Sequence, residues 1–167
     1  MKIGFLGFGL IGGSIARSLK SKDESIIIQV YARSKSKELN NGLTEGIIDF
    51  LLFKIDSAFS DCDIIFLCAP TLTNISFLKK IKPIIRKGCI LTDVGSVKGN
   101  IHQEVIRLKM EDCFIGGHPM AGSEKTGFAN SSVTLLENAY YLLTPTKKTT
   151  AKQLQTMKDL IERIGSV

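Results

Sequence analysis

The chain has 167 residues, with 22 Lys and Arg against 16 Asp and Glu, a net charge of +6, 44% hydrophobic and 23% charged residues. That length builds one domain with a real core and is short for two, and the composition excludes a disordered or collagen-like chain. No apolar run approaches a bilayer span, so no membrane association is expected.

The basic residues are spread along the chain without the clustering or motif of a nucleic-acid footprint, so no nucleic-acid partner is expected. A positive excess of this kind suits small anionic ligands. The apolar start, Met1 to Leu6, is interrupted by Gly7, Gly9, Gly12 and Gly13, which argues against a signal peptide. Cys62, Cys68, Cys89 and Cys113 form no CxxC pair, and Cys68 and Cys89 lie in apolar runs. They read as reduced core cysteines of a cytoplasmic protein, and no metal site is expected.

Short apolar runs alternate with helix-period stretches, the pattern of an α/β domain with a mostly parallel, doubly wound sheet of Rossmann type and helices on both faces. Ile3–Leu6 is the first predicted strand. Ile11, Ile15 and Leu19 then recur at helical spacing between Leu10 and Lys20. Ile26–Tyr31 is a second strand, and Ser34 is expected to cap a short helix that stops near Gly42. The stretch 46–60 carries no clear period. Asp63–Cys68 is a buried strand. A helix is predicted over 73–85, ended or kinked by Pro83. Cys89–Val94 is a strand, and Ile101, Val105 and Leu108 mark the next helix. Phe114-Ile115 is a short strand before a glycine-rich loop, and Tyr140–Leu143 is another strand. Leu154, Met157, Ile161 and Ile164 give a last amphipathic helix. The chain ends at Arg163-Ile164-Gly165-Ser166-Val167, where a helix hands over to something else, so a fragment of a longer protein is expected.

Gly7-Phe8-Gly9-Leu10-Ile11-Gly12 is a GxGxxG set placed after a strand and opening a helix, the context a dinucleotide fingerprint requires. Gly7 permits the tight turn, Gly9 lets the backbone approach a pyrophosphate, and Gly12 lets helix and sheet pack closely. The pyrophosphate would rest on the free N–H groups of the helix start. About 20 residues further on, NAD sites place an Asp or Glu for the ribose 2′-OH. Here the sequence reads Tyr31-Ala32-Arg33-Ser34-Lys35, with no carboxylate. Arg33 and Ser34 would favour a 2′-phosphate, so NADP is expected to bind at least as well as NAD; the alternative is a solvated surface.

Two further segments stand at or near strand ends: Thr92-Asp93-Val94-Gly95-Ser96-Val97-Lys98 and Gly116-Gly117-His118-Pro119-Met120-Ala121-Gly122-Ser123-Glu124-Lys125-Thr126-Gly127. Ligands of open α/β sheets bind at the carboxyl ends of the strands. Pro119 biases His118 toward an extended backbone. The glycine fingerprint, these two segments and the later Glu137-Asn138-Ala139-Tyr140-Tyr141-Leu142-Leu143-Thr144-Pro145 occur in order, and with them nearly the whole chain resembles the prephenate dehydrogenases.

The resemblance implies that residues 1–167 are an NAD(P)-binding Rossmann domain and that the family's helical dimerisation domain, which adds substrate residues, is absent from this chain. It implies oxidative decarboxylation of prephenate to 4-hydroxyphenylpyruvate in tyrosine biosynthesis, by a homodimer at full length. His118 would accept the hydroxyl proton, and Ser96 would hydrogen-bond the same hydroxyl. Ala69 and Pro70 would line the cofactor ribose, Ser123 would lie at the cofactor, and Glu124 would gate access. An apolar patch is expected where the helical domain docks.

Plainer readings stand beside these. Ser96 could be a helix N-cap, Glu124 and Lys125 solvated loop charges, Lys98 a first-turn residue, and His102 a solvated helix residue. Rival functions are an arogenate dehydrogenase, another two-domain NADP oxidoreductase such as an imine reductase or β-hydroxyacid dehydrogenase, and a non-catalytic nucleotide-sensing module.

Overall fold

The computed structural model describes residues 1–167. Strands β1 (Lys2–Leu6), β2 (Ile27–Tyr31), β3 (Phe50–Leu52), β4 (Ile64–Leu67), β5 (Ile90–Asp93), β6 (Phe114–Pro119) and β7 (Tyr141–Pro145) form one sheet in the order β3-β2-β1-β4-β5-β6-β7. All neighbours are parallel except β6 and β7. Helices α1 (Leu10–Lys22), α2 (Lys37–Thr44), α3 (Thr71–Ile81), α4 (Gly99–Arg107) and α5 (Ala151–Arg163) connect or follow them. This is the doubly wound Rossmann-type architecture expected from the alternation of patterns.

The central strands are apolar throughout because both sheet faces are covered. On one face Ile3, Phe5, Ile15, Leu19, Met157 and Ile161 belong to a core of 21 buried residues that joins α1 and α5 to the sheet. On the other, Leu6, Ile65, Leu67, Leu78, Ile101 and Val105 belong to a core of 14 that joins α3 and α4. Alternate residues of β1 and β4 thus feed opposite cores, as the pleat requires. The strand order reverses direction between β1 and β4, and a crevice opens there at the carboxyl ends of the strands.

Several local expectations are corrected. Ser36, not Ser34, caps α2, its hydroxyl accepting from the Leu39 N–H at 3.2 Å. The burial of Leu39 in the core sets the phase of that helix. Gly42 does not stop it: a Cβ there would lie 2.8 Å from Ile48 and 2.9 Å from Phe128, so this glycine serves packing, and the left-handed turn falls at Gly46 (φ 71). The stretch 46–60 holds the edge strand β3 and a 3-10 turn at Ser57–Phe59 capped by Asp56. Helix α3 ends at Ile81, before Pro83, and residues 82–84 form a turn beyond it.

The largest correction is at β6. The strand runs on through Gly116-Gly117-His118-Pro119, where side-chain periodicity predicts a loop, and pairs with β7 as far as Pro119↔Tyr141. Glycines carry no pattern, yet here they are required: a Cβ on Gly117 would lie 2.6 Å from the Asp93 carbonyl oxygen. At the β7 edge of the sheet, Leu142 and the flanking Met120 and Tyr140 stay exposed. A groove of about 850 Å³ runs beside them between β7 and α5, lined mainly by apolar side chains. No helix is long and apolar enough to cross a membrane.

Candidate active site

The β1–α1 turn has the geometry of the fingerprint. Gly7 takes φ 88, a conformation side chains rarely adopt. A Cβ on Gly9 would meet nothing within 4 Å, so the backbone is open on that side. A Cβ on Gly12 would press on Cys68 at 3.2 Å, which shows why the helix needs glycine where it crosses β4. Helix α1 starts at Leu10 with no side chain capping it and no acidic residue in its first turn. That leaves its amide dipoles for an anion.

Gly7, Phe8 and Gly9 share a cavity of about 520 Å³ with Arg33, Ser34, Ala69 and Pro70. The structure therefore brings together seven of the residues expected at the cofactor. Leu10, Ile11 and Gly12 stand behind them in the first turn of α1. Phe8 is held from two sides, edge-on to Phe5 and stacked on Phe128 with centroids 5.1 Å apart. Arg17 lies over the other part of this cluster, 4.5 Å from the Phe128 ring, and donates to Ser131 Oγ at 2.9 Å. Arg33 and Ser34 are exposed at the cavity rim, and Arg33 has no carboxylate partner. An open glycine cradle, an uncapped helix start and an unpaired cation fit a dinucleotide.

Asn74, which sequence reasoning missed, fixes the opposite wall. It is buried, donates to the Leu67 carbonyl at 3.1 Å and accepts from the Ala69 N–H at 3.1 Å. The signal available was a polar residue inside the apolar stripe of α3. No cluster of three or more His, Cys, Asp or Glu side chains is placed to hold a metal ion.

The second part of the site lies at the carboxyl ends of β5 and β6. Ser96 is exposed in the β5–α4 connection and does not cap α4, which begins at Gly99 with Lys98 before it. His118 is half-buried on β6. Asp93 ends β5 with 2% of its surface exposed. It accepts from Gly95 N–H at 3.1 Å, Gly117 N–H at 3.2 Å and Lys98 Nζ at 2.5 Å. Lys98 is no free first-turn residue: it also donates to the Gly117 carbonyl at 2.5 Å. Burial pushes its ammonium below its ordinary value, and the Asp93 contact opposes that.

His102 is likewise not solvated; it packs edge-on against Phe114, with Nε2 3.3 Å from Thr144 Oγ1. Tyr141 is buried with no partner for its hydroxyl, and burial raises its phenol well above the usual range. Ser123 and Glu124 are not brought to the cavity. They lie in an exposed loop, where Ser123 Oγ accepts from the Lys125 N–H at 3.1 Å.

The fold and the glycine turn after β1 define a class, the Rossmann-type dinucleotide-binding domain. Within it, the chain belongs to the prephenate dehydrogenase family: residues 15–167 match the family model described as prephenate dehydrogenase, nucleotide-binding domain. The chain is 36% identical over 148 residues to the prephenate dehydrogenase of Lactococcus lactis subsp. cremoris, covering 86% of this chain and 40% of that one. The crystal structure of Aquifex aeolicus prephenate dehydrogenase with hydroxyphenyl propionate and NAD+ superposes with a TM-score of 0.91 at 34% identity, covering 100% of this chain and 58% of that one. Synechocystis arogenate dehydrogenase gives 0.90 at 33%, again covering 100% and 58%. The chain thus spans about half the length of these relatives.

Proposed function

We propose that this chain is the cofactor-binding half of a cytoplasmic, homodimeric enzyme that oxidises prephenate with loss of CO₂ to give 4-hydroxyphenylpyruvate. The observation that carries the reading is the shared sheet edge. The glycine cradle after β1, the Ser96 loop after β5 and His118 near the end of β6 all open on the carboxyl side of the parallel strands. When bound, the nicotinamide supplies the hydride acceptor. His118 takes the proton of the ring hydroxyl, a role a neutral imidazole performs near pH 7. Ser96 hydrogen-bonds that hydroxyl and holds it against His118. Oxidation creates the carbonyl that takes up the electrons released with CO₂, and the ring becomes aromatic. Glu124, on its exposed loop, gates access.

The unpaired Arg33 with Ser34 at the cavity rim supports NADP binding at least as well as NAD. The exposed apolar residues along β7 support docking of a further helical domain that completes the substrate cleft. By itself the 167-residue chain then binds the cofactor and turns over little or no substrate. The near-equal likeness to a prephenate and an arogenate dehydrogenase keeps arogenate as the second substrate reading.

One experiment tests this: turnover of the complete-length enzyme and of its His118→Asn variant with prephenate or arogenate, each with NAD and NADP. Reduced cofactor and CO₂ are expected with prephenate. The variant should lose about 10²–10⁴ in kcat while keeping its dinucleotide affinity. Retention of turnover and pH profile by the variant would remove His118 from the chemistry. Turnover with arogenate alone would reassign the substrate. NAD binding at least tenfold tighter than NADP would end the cofactor reading.

A further inference from the structure

We propose that Asp93 is a positioning residue for the reaction centre, its single carboxylate holding the Ser96 loop and the His118 strand in fixed relation. The proposal rests on the reaction proposed above for its kinetic assay and stands without it for its structural one.

The sheet has a gap between β5 and β6. Strands β5 and β6 pair only at Leu91↔Phe114 and Thr92↔Ile115. Past Ile115, β6 keeps its ladder with β7 but has no register partner on β5. In that gap the Asp93 and Lys98 side chains take the place of the missing backbone bonds. Oδ1 of Asp93 accepts from Gly117 N–H, and Lys98 Nζ donates to the Gly117 carbonyl. Both polar groups of the residue before His118 are therefore tied to one ion pair. Oδ2 of Asp93 accepts from Gly95 N–H, the residue before Ser96.

Glycine at 117 permits this closeness, since a Cβ would also lie 3.0 Å from Thr92 Oγ1. A Cβ on Gly116 would lie 3.3 Å from Lys98 Cδ and 2.7 Å from His102 Nε2, so that face of β6 looks toward α4. Alternation in a strand puts His118 on the same face as Gly116. A buried ion pair is poor evidence of stabilisation, because an apolar pair of similar size often does as well. What this one provides is orientation: a charged clamp at Gly95 and Gly117, the residues that precede Ser96 and His118.

Asparagine at 93 would keep the shape and offer one acceptor oxygen to donors now shared by two. At least one of the Gly95 and Gly117 amides would then face an NH₂ group and let go. A displacement of about 1 Å can cost on the order of 10²-fold in rate.

The test uses Asp93→Asn and, so that no buried ammonium is left unpaired, the double variant Asp93→Asn/Lys98→Met. In the complete-length enzyme kcat should fall about 30- to 100-fold, with substrate KM and dinucleotide Kd within threefold of the parent. In the 167-residue chain, hydrogen exchange at the Gly95 or Gly117 amide should speed up at least tenfold, while amides of β1 and β4 keep their protection. A kcat within threefold of the parent, or a loss carried wholly by KM, overturns the proposal, as does unchanged exchange at both glycines. If the parent itself turns over neither prephenate nor arogenate, the reaction reading fails, and the exchange measurement still decides the clamp.

Discussion

At His102 the imidazole stands edge-on to Phe114, centroids 5.4 Å apart, under strand residues Gly116 and Thr144. Burial lowers its pKa below the ordinary 6.5; Asp93 opposes that and Lys98 adds to it. Between the folded value and 6.5 the unfolded chain binds more protons, so the stabilisation is present above 6.5 and is lost as pH falls through the folded value. The thermal midpoint should therefore drop on acidification below pH 6.5, and His102→Gln should flatten that slope. An unchanged slope in the variant would show that other groups carry it. The amphipathic pattern of its helix predicts a solvated ring at His102, but β7 folds back over that face and half-covers it. Gly7, Gly9 and Gly12 were legible because their roles are local, set by a turn and a helix start within a few residues.

Among the elements, α5 carries its own start signal. Thr150 and Gln153 form a capping box, with the Thr150 hydroxyl accepting from the Gln153 N–H at 3.2 Å and the Gln153 side chain accepting from the Thr150 N–H at 2.9 Å. Gln153 also donates to the Asp112 carbonyl at 2.7 Å, tying the helix start to the loop before β6. Met157, Leu160 and Ile161 bury the inner face of α5, so a loss at its cap is felt by the whole domain. Thr150→Ala should cost about 1 kcal/mol of unfolding free energy in a urea titration. A change under about 0.3 kcal/mol would mean that core packing alone sets the helix start. Strand β6 is the opposite case. Its last four residues bear no pattern of their own, and only pairing with β7 and the Asp93 clamp make them a strand.

For the molecule as a whole, the two cores on either face of the sheet decide how the cysteines behave. Cys62 and Cys89 lie in the core on the α3–α4 face, and burial pushes both thiols up to about 12. Thiolate is the reactive form, so both should resist a thiol reagent at pH 8 in the native chain. Their labelling should rise with denaturant in step with loss of helical signal. Rapid native labelling of either would show local opening of that core.

The sequence by itself determined the alternation of strands and helices, the glycine loop that marks a dinucleotide domain, and the two segments around Ser96 and His118. Each of those signals is carried by residues close together in the chain. Tertiary structure alone decided that His118 sits in a strand, that Lys98 turns inward, that His102 is half-covered and that Asp93 joins two segments 24 residues apart. The reason is physical: a hydrogen bond between distant segments leaves no period in the sequence, and a glycine that makes room for one leaves no side chain to read.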